Sequence, residues 1–174
     1  MLLRVMALSI AAVLLSGCVT ERGGLDYASM TQKIGPPAQG QARIVILREQ
    51  GYAGIADQGW DIRLDGGPMT DLKTGTYAYA DRPAGRHQLS ATASMFPGVS
   101  QHDLTAVSGR TYFFLTRPSA RAKTLQGMSV AGGVAGLLVA SAITSNDANP
   151  GPLDFLPLDD QAARTMIAEL KLAP

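Results

Sequence analysis

Apolar and polar residues alternate along the middle of the chain. Trp60, Ile62 and Leu64 are separated by charged residues, and residues 87–95 alternate in the same way. A period of two is typical of strands that bury one face. Residues 42–117 contain six or seven such short segments with a turn signal between each. This pattern predicts a mainly β fold, specifically a small antiparallel β-sandwich.

Two short segments within this region carry further information. Residues 44–47 read Ile-Val-Ile-Leu without a polar interruption, which predicts a strand buried on both faces. Residues 65–67 read Asp-Gly-Gly, which favours a tight hairpin turn between two strands.

Residues 125–144 depart from the strand pattern, because 127–143 contain only uncharged, mostly small or aliphatic residues. Gly132, Gly136 and Ala140 recur every fourth residue, which on one helix would form a stripe of small residues that lets a neighbour approach closely. Three interpretations remain open. The segment is a helix packed on its own domain, a helix that contacts a membrane or further copies of itself, or a flexible glycine-rich loop.

The C-terminal part is predicted to be a polar, proline-rich linker over 145–158 followed by a helix over 159–172. Asp159 is a candidate N-cap. The helix has one apolar stripe, which we expect to face the sheet. The stripe consists of Ala163, Met166, Ile167 and Leu170.

The first 17 residues have the pattern of an export signal. Arg4 precedes an apolar run over 5–15, which is too short to cross a bilayer that needs about 20 residues. The run ends in Leu-Ser-Gly-Cys, with Gly17 before Cys18, the single cysteine of the chain. This ending resembles the lipobox of bacterial lipoproteins.

The lipobox resemblance implies cleavage between Gly17 and Cys18 and attachment of lipid to Cys18, which would bind the protein to membrane lipid. Two or more acyl chains give firm anchoring. Val19 follows the modified residue, and by the same resemblance this favours the periplasmic face of the outer membrane. Residues 18–41 are then predicted to be a flexible tether, with a short helix or turn around 27–33.

Composition narrows the class of partner. Lys and Arg total 15, Asp and Glu total 14, and the predicted signal segment holds only Arg4 of these. The remaining 157 residues are therefore close to neutral, which argues against a nucleic-acid partner. That length is enough for one domain with its own core.

The β region is similar to small bacterial envelope lipoproteins grouped as a domain of unknown function, and to PEGA-type surface modules. The similarity lies in an Arg-bounded Ile/Val strand, an Asp-Gly turn, and the segments 75–77, 83–87 and 109–113. These segments are Gly-Thr-Tyr, Pro-Ala-Gly-Arg-His and Gly-Arg-Thr-Tyr-Phe. The resemblance implies a β module and supplies no catalytic residue.

Candidate chemistry is sparse. His87 and His102 are the only histidines and lack metal-ligand spacing, and no serine lies in a Gly-x-Ser-x-Gly segment. We therefore predict no catalytic residue, no metal and no cofactor, and a protein that is not an enzyme. Aromatic residues on the predicted strands could instead form a binding face. They are Trp60, Tyr77, Tyr79, Tyr112, Phe113 and Phe114.

The leading hypothesis is a non-enzymatic envelope lipoprotein that acts as an interaction or assembly module, with 127–143 as its contact with lipid, an envelope protein or another copy. The alternative is a periplasmic peptide- or glycan-binding lipoprotein that uses an aromatic sheet face.

Overall fold

The computed structural model describes residues 24–50, 59–94, 96–144 and 149–174. The fold is mainly β, with two sheets and several helices. The strands are β1 Gln41–Arg48, β2 Trp60–Leu64, β3 Gly67–Leu72, β4 Thr76–Pro83, β5 Gly85–Ala93, β6 Ser100–Ala106, β7 Thr111–Pro118, β8 Leu153–Leu158 and β9 Lys171–Leu172. The helices are α1 Tyr27–Ile34, α2 Ala120–Ile143 and α3 Asp160–Ile167.

The two sheets have different strand orders. The larger sheet has the order β8-β7-β1-β4-β9, and the smaller has β3-β2-β5-β6. The chain passes from the larger to the smaller sheet at Ala84, between β4 and β5. The smaller sheet is antiparallel throughout. The predicted mainly β, sandwich-like fold is confirmed. In the larger sheet β1 runs parallel to β7 and β4 parallel to β9, two pairs that differ from the antiparallel arrangement expected.

The larger sheet is the middle of three layers. One apolar cluster fills the space between the sheets, and a second lies between the larger sheet and the helices α1 and α3. Strand β1 contributes Ile44 and Ile46 to the first cluster and Val45 and Leu47 to the second. The prediction that this strand is buried on both faces is confirmed, because sheet and helices cover its two sides.

The Asp-Gly-Gly segment forms the predicted turn between β2 and β3. Asp65 and Gly66 have φ angles of 54° and 75°, as two-residue hairpin turns with a right-handed strand twist require. Aspartate and glycine tolerate this conformation better than most residues. This turn lies at the end of the sandwich where β1 begins, which we call the turn end.

Two buried arginines flank the apolar run of β1. The Arg43 guanidinium bonds both carboxylate oxygens of Asp81 at 2.7 and 2.8 Å and donates to the Gly35 carbonyl at 2.8 Å. The Arg48 guanidinium lies 3.9 Å from the centre of the Trp60 ring and donates to the Leu72 carbonyl at 2.9 Å. Arg43 therefore joins the larger sheet to the segment after α1, and Arg48 joins the two sheets.

The predicted tether and linker both contain structure that belongs to the domain. The predicted helix near 27–33 is present as α1, and its Tyr27 and Met30 side chains are buried in the second cluster. Residues 153–158, predicted as linker, form β8 beside β7. Because β8 is an edge strand, Pro157 does not remove a hydrogen bond that a central strand would need.

The C-terminal helix is shorter than predicted. Asp159 caps it as expected, since its Oδ1 accepts a hydrogen bond from the Ala162 amide at 2.8 Å. The helix ends at Ile167, and residues 171–172 form β9 instead of continuing it. Leu170 is still buried against the sheet together with Ala163 and Ile167, so the predicted apolar stripe is confirmed.

Candidate functional site

The predicted cleavage and lipidation residues, Gly17 and Cys18, lie outside the described residues. The structure does describe how the segment that begins at residue 24 joins the domain. The Leu25 carbonyl accepts hydrogen bonds from the Leu172 amide at 2.8 Å and the Tyr77 hydroxyl at 3.0 Å. A β-carbon on Gly24 would clash with the Leu172 backbone. The chain is therefore part of the fold from residue 24 onward.

Helix α2 is a hairpin of two arms. Gly133 has φ 57° and ψ −141°, which interrupts the helix. The Arg121 Nε atom then lies 3.1 Å from Thr144 Oγ1, whereas a straight helix would separate these residues by about 35 Å. Residues 134–143 therefore return alongside residues 120–132. We call residues 120–144 the hairpin and residues 129–139 its tip.

The three small residues predicted to share one helix face are divided by this turn. A β-carbon on Gly136 would clash with the Met128 carbonyl oxygen, so glycine allows the two arms to approach closely. Ala140 lies one turn further on the same face and is fully buried. Gly132 has open space around it at the turn. The stripe over Gly132, Gly136 and Ala140 was wrong as one surface, because the helix breaks at Gly133.

The base of the hairpin is bonded to loops of the sandwich. Ser119 caps the first arm by accepting from the Ala122 amide at 3.1 Å and donates to the Gly151 carbonyl at 2.7 Å. Arg121 is buried and donates to the carbonyls of Pro97, at 3.2 Å, and Pro150. Through its bond to Thr144, the same side chain holds both arms together. The base is therefore fixed to the domain.

The tip is exposed and apolar. Val130, Val134, Leu138 and Val139 are 72%, 76%, 67% and 50% exposed. No charged residue or histidine occurs between Lys123 and Asp147. Among the described residues no helix is long and apolar enough to span a membrane. A concentration of exposed aliphatic side chains on a small domain marks an interaction surface.

The aromatic residues predicted as a possible binding face are mainly part of the core. Tyr77 and Phe113 are buried in the cluster under the helices, and Phe114 is buried between the sheets. Tyr79 packs against the cluster under the helices, and Trp60 and Tyr112 pack against the cluster between the sheets. The large apolar side chains that are exposed in the described part of the chain are all Leu or Val. The structure therefore does not support an aromatic binding face.

A polar depression of about 500 Å³ lies at the turn end. Its lining residues are Asp65, Arg86, His87, Gln88, Asp103, Leu104 and Thr105. Four of the lining side chains, those of Asp65, His87, Gln88 and Asp103, make hydrogen bonds there. His87 Nδ1 is 2.7 Å from Asp65 Oδ2, His87 Nε2 is 2.7 Å from the Pro83 carbonyl, and Gln88 donates to Asp103 at 2.9 Å. These contacts link turns and strands and leave neither ring nitrogen of His87 available as a base.

This arrangement favours the charged imidazolium. Burial lowers the pKa of His87, but the hydrogen bonds to Asp65 and Pro83 outweigh it, and the net pKa is raised. Burial raises the pKa of Asp65, but the Gln88 amide and the His87 ring outweigh it, and the net pKa is lowered. The Asp65 carboxylate and the Pro83 carbonyl can only accept hydrogen bonds, so a ring protonated on both nitrogens donates to each of them.

His102 is separate from that pair. Its ring packs edge-on against Phe114, with the ring centres 5.0 Å apart, and beside Phe155 at 6.3 Å. Asp103 accepts from Gln88. Within the described ranges, no group of three or more His, Cys, Asp or Glu side chains is placed to hold a metal ion.

No protein-family model matches the chain, and no curated protein is significantly similar to it in sequence.

Proposed function

We propose that this chain is a lipid-anchored protein of the bacterial envelope whose folded domain acts as a non-enzymatic interaction or assembly module. The chain would be cleaved between Gly17 and Cys18, and Cys18 would then carry the lipid. The inner leaflet of the outer membrane, with the domain in the periplasm, is the proposed location. Anchoring rests on the lipobox-like segment, and the interaction role rests on the structure.

The observation that carries the interaction role is the exposed hairpin. Its base is bonded to the sandwich through Ser119 and Arg121, while the valine and leucine side chains of its tip are exposed. In the described part of the chain, neither core cluster includes a residue of the tip. An exposed apolar element on a rigid base is typical of a surface that binds a partner.

The position of the first described residues sets how far the domain could lie from a lipid on Cys18. Only residues 19–23 separate Cys18 from Gly24, whose neighbour Leu25 is bonded to the sheet edge. A lipid on Cys18 would therefore hold the domain close to the membrane surface.

The test is the chemical state of residue 18 in protein purified from bacterial membranes. Mass spectrometry of the N-terminal peptide is expected to show a diacylglyceryl cysteine as the first residue. Cys18→Ser combined with Val107→Cys is the control, because it retains one cysteine outside the lipobox-like segment and should incorporate no lipid. An unmodified Cys18 in wild-type protein purified from bacterial membranes would contradict the proposal.

A further inference from the structure

The base of the hairpin lies at the same end of the sandwich as the first described residues, which follow the proposed lipid anchor. Strand β7 ends at Pro118 and leads into the hairpin. Strands β1 and β7 are parallel, with Leu47 beside Leu115, so β1 also ends there. On the other side of β1, Arg48 pairs with Thr76 of β4, and Thr76 pairs with Lys171 of β9. We call this end of the sandwich, where β1 and β7 end, the hairpin end.

The chain enters the fold at this hairpin end as well. Leu25 bonds to Leu172 and to Tyr77, and both residues lie in the β4–β9 pair. The strand order places β9 three strands from β7, which corresponds to about 15 Å across the sheet. The entry point of the chain and the base of the hairpin are therefore neighbours on one end of the sandwich.

The distances match a single membrane leaflet. Six residue steps join Cys18 to Gly24, so the sulfur-bearing residue can lie no further than about 20 Å from Gly24. The two arms of the tip, residues 129–132 and 134–139, extend about 6–9 Å beyond the base, which is within the depth of one leaflet. The hydrocarbon of one leaflet is about 15 Å thick, half of the bilayer core.

The distribution of apolar side chains identifies lipid as the partner that fits. Leu138 and Val139 are consecutive, so they point about 100° apart around the second arm. Val134 shares the face of Leu138, and Val130 belongs to the other arm. A second protein would cover one face of the tip, whereas acyl chains surround it. Within each helical arm the backbone bonds internally on either side of Gly133, which lowers the free-energy cost of placing the arms in hydrocarbon.

We propose that the hairpin tip inserts among the phospholipid acyl chains of the leaflet that holds the Cys18 lipid. This inference rests on the proposed function, since the lipid sets which end of the sandwich faces the membrane. Lys123 is exposed at the base of the first arm, where its ammonium can lie at the level of the phosphates.

The experiment measures the surroundings of the tip in vesicles. Lipidated Val134→Cys protein is labelled with a nitrobenzoxadiazole fluorophore and reconstituted into phosphatidylethanolamine–phosphatidylglycerol vesicles. Cys18 is blocked as a thioether, so the introduced cysteine is the only reactive thiol. Val107→Cys is the matched control, because it replaces another exposed valine, 53% accessible, in the β6–β7 turn at the turn end. Leu138→Cys provides a second tip position.

The expected result is a blue-shifted emission from both tip labels, with at least about a twofold loss of intensity when the lipids carry a spin label on their acyl chains. The label at 107 should show neither change. A urea unfolding midpoint equal to that of the control confirms that each variant is folded. Tip labels that remain in an aqueous environment on anchored protein would overturn the inference and leave the lipid anchor intact.

Two other outcomes are also decisive. A tip label that becomes shielded with rising protein concentration in the absence of vesicles, and is not quenched by lipid, would overturn the inference in favour of a second copy of the chain. If mass spectrometry shows an unmodified Cys18, the proposed function fails. In that case the tip cysteines are introduced into the Cys18→Ser background, where each is again the only reactive thiol, and the labelled proteins are measured on added vesicles. Quenching at 134 and 138 then supports insertion, and its absence overturns it.

Discussion

At the scale of single residues, the contact between His87 and Asp65 ties two turns together at the turn end. The His87 ring donates to the Asp65 carboxylate in the β2–β3 turn and to the Pro83 carbonyl just before the β4–β5 turn. Burial opposes the charged ring, yet the raised pKa of His87 indicates that the two acceptors outweigh it. The contact therefore stabilises the fold only while the ring is charged and the carboxylate is ionised.

We predict that this contribution depends on pH in a defined window. Because the pKa of His87 is raised, its contribution is complete below the unfolded value of about 6.5 and is lost as pH rises through the folded value. Because the pKa of Asp65 is lowered, the contribution is lost as pH falls through that lower value. Urea unfolding of His87→Gln should show a deficit of at most about 1 kcal/mol near pH 5.5, since the carboxylate is partly exposed.

The deficit should shrink as the pH is raised towards 9 through the raised pKa of His87, because the wild-type ring then loses its charge. His102→Gln is the control, since His102 contacts aromatic rings. An equal deficit for His87→Gln at both pH values would show that the ring stabilises the fold by packing alone.

A second residue-scale prediction concerns the buried Arg43. Asp81→Ala removes the carboxylate that holds this guanidinium through two hydrogen bonds. We expect a loss of about 3 kcal/mol, because an uncompensated charge would remain buried. Thermal unfolding should shift down by roughly 6–12 °C. Asp71→Ala is the matched control, since that carboxylate is exposed and 3.9 Å from the Lys73 ammonium; its effect should stay below about 0.5 kcal/mol. Equal effects of the two variants would refute the structural role of the Arg43 pair.

At the scale of elements, the hairpin depends on one glycine at its turn. Gly133 combines φ 57° with ψ −141°, a backbone conformation that residues with a β-carbon rarely adopt. We predict that Gly133→Ala costs about 1–3 kcal/mol locally. Hydrogen exchange of the amides over 122–143 should accelerate accordingly. Gly132→Ala should leave exchange unchanged, because its position has open space and an ordinary φ. Protection retained in both variants would show that the hairpin does not rely on the turn at Gly133.

The elements show why some predictions succeeded. The strands within 42–117 were recognisable because each buries one or both faces, so its side chains alternate or form a continuous apolar run. The turn at Asp65 and the cap at Asp159 were recognisable because their side chains satisfy local backbone requirements.

The failures have equally physical causes. Side-chain alternation carries no information on strand direction, so the parallel pairing of β1 with β7 was not predicted. The prolines of 150–157 suggested a linker, yet an edge strand such as β8 accepts proline. Glycines at 132 and 136 suggested one helix face. A stripe of small residues and a hairpin turn share this composition, and only the backbone angles at 133 distinguish them.

At the scale of the whole molecule, the three layers form one folding unit that includes α1. Met30 is fully buried beside Tyr77 and Phe113 in the cluster under the helices. We predict that Met30→Ala costs about 3 kcal/mol. The loss should be the same whether unfolding is followed by helix or by aromatic signals. Gln32→Ala, an exposed position on the same helix, is the control. Separate transitions for the two signals would indicate that α1 is an independent appendage.

The bond between Leu25 and Leu172 has a consequence for the order of events in the cell. This bond closes a sheet edge between two residues that lie 147 positions apart in the sequence. That edge cannot close until Leu172 of β9 has been synthesised. Long-range closures of this kind are slow, and incomplete chains expose apolar strands in the meantime. The nascent domain therefore stays open along this edge until Leu172 has emerged from the ribosome.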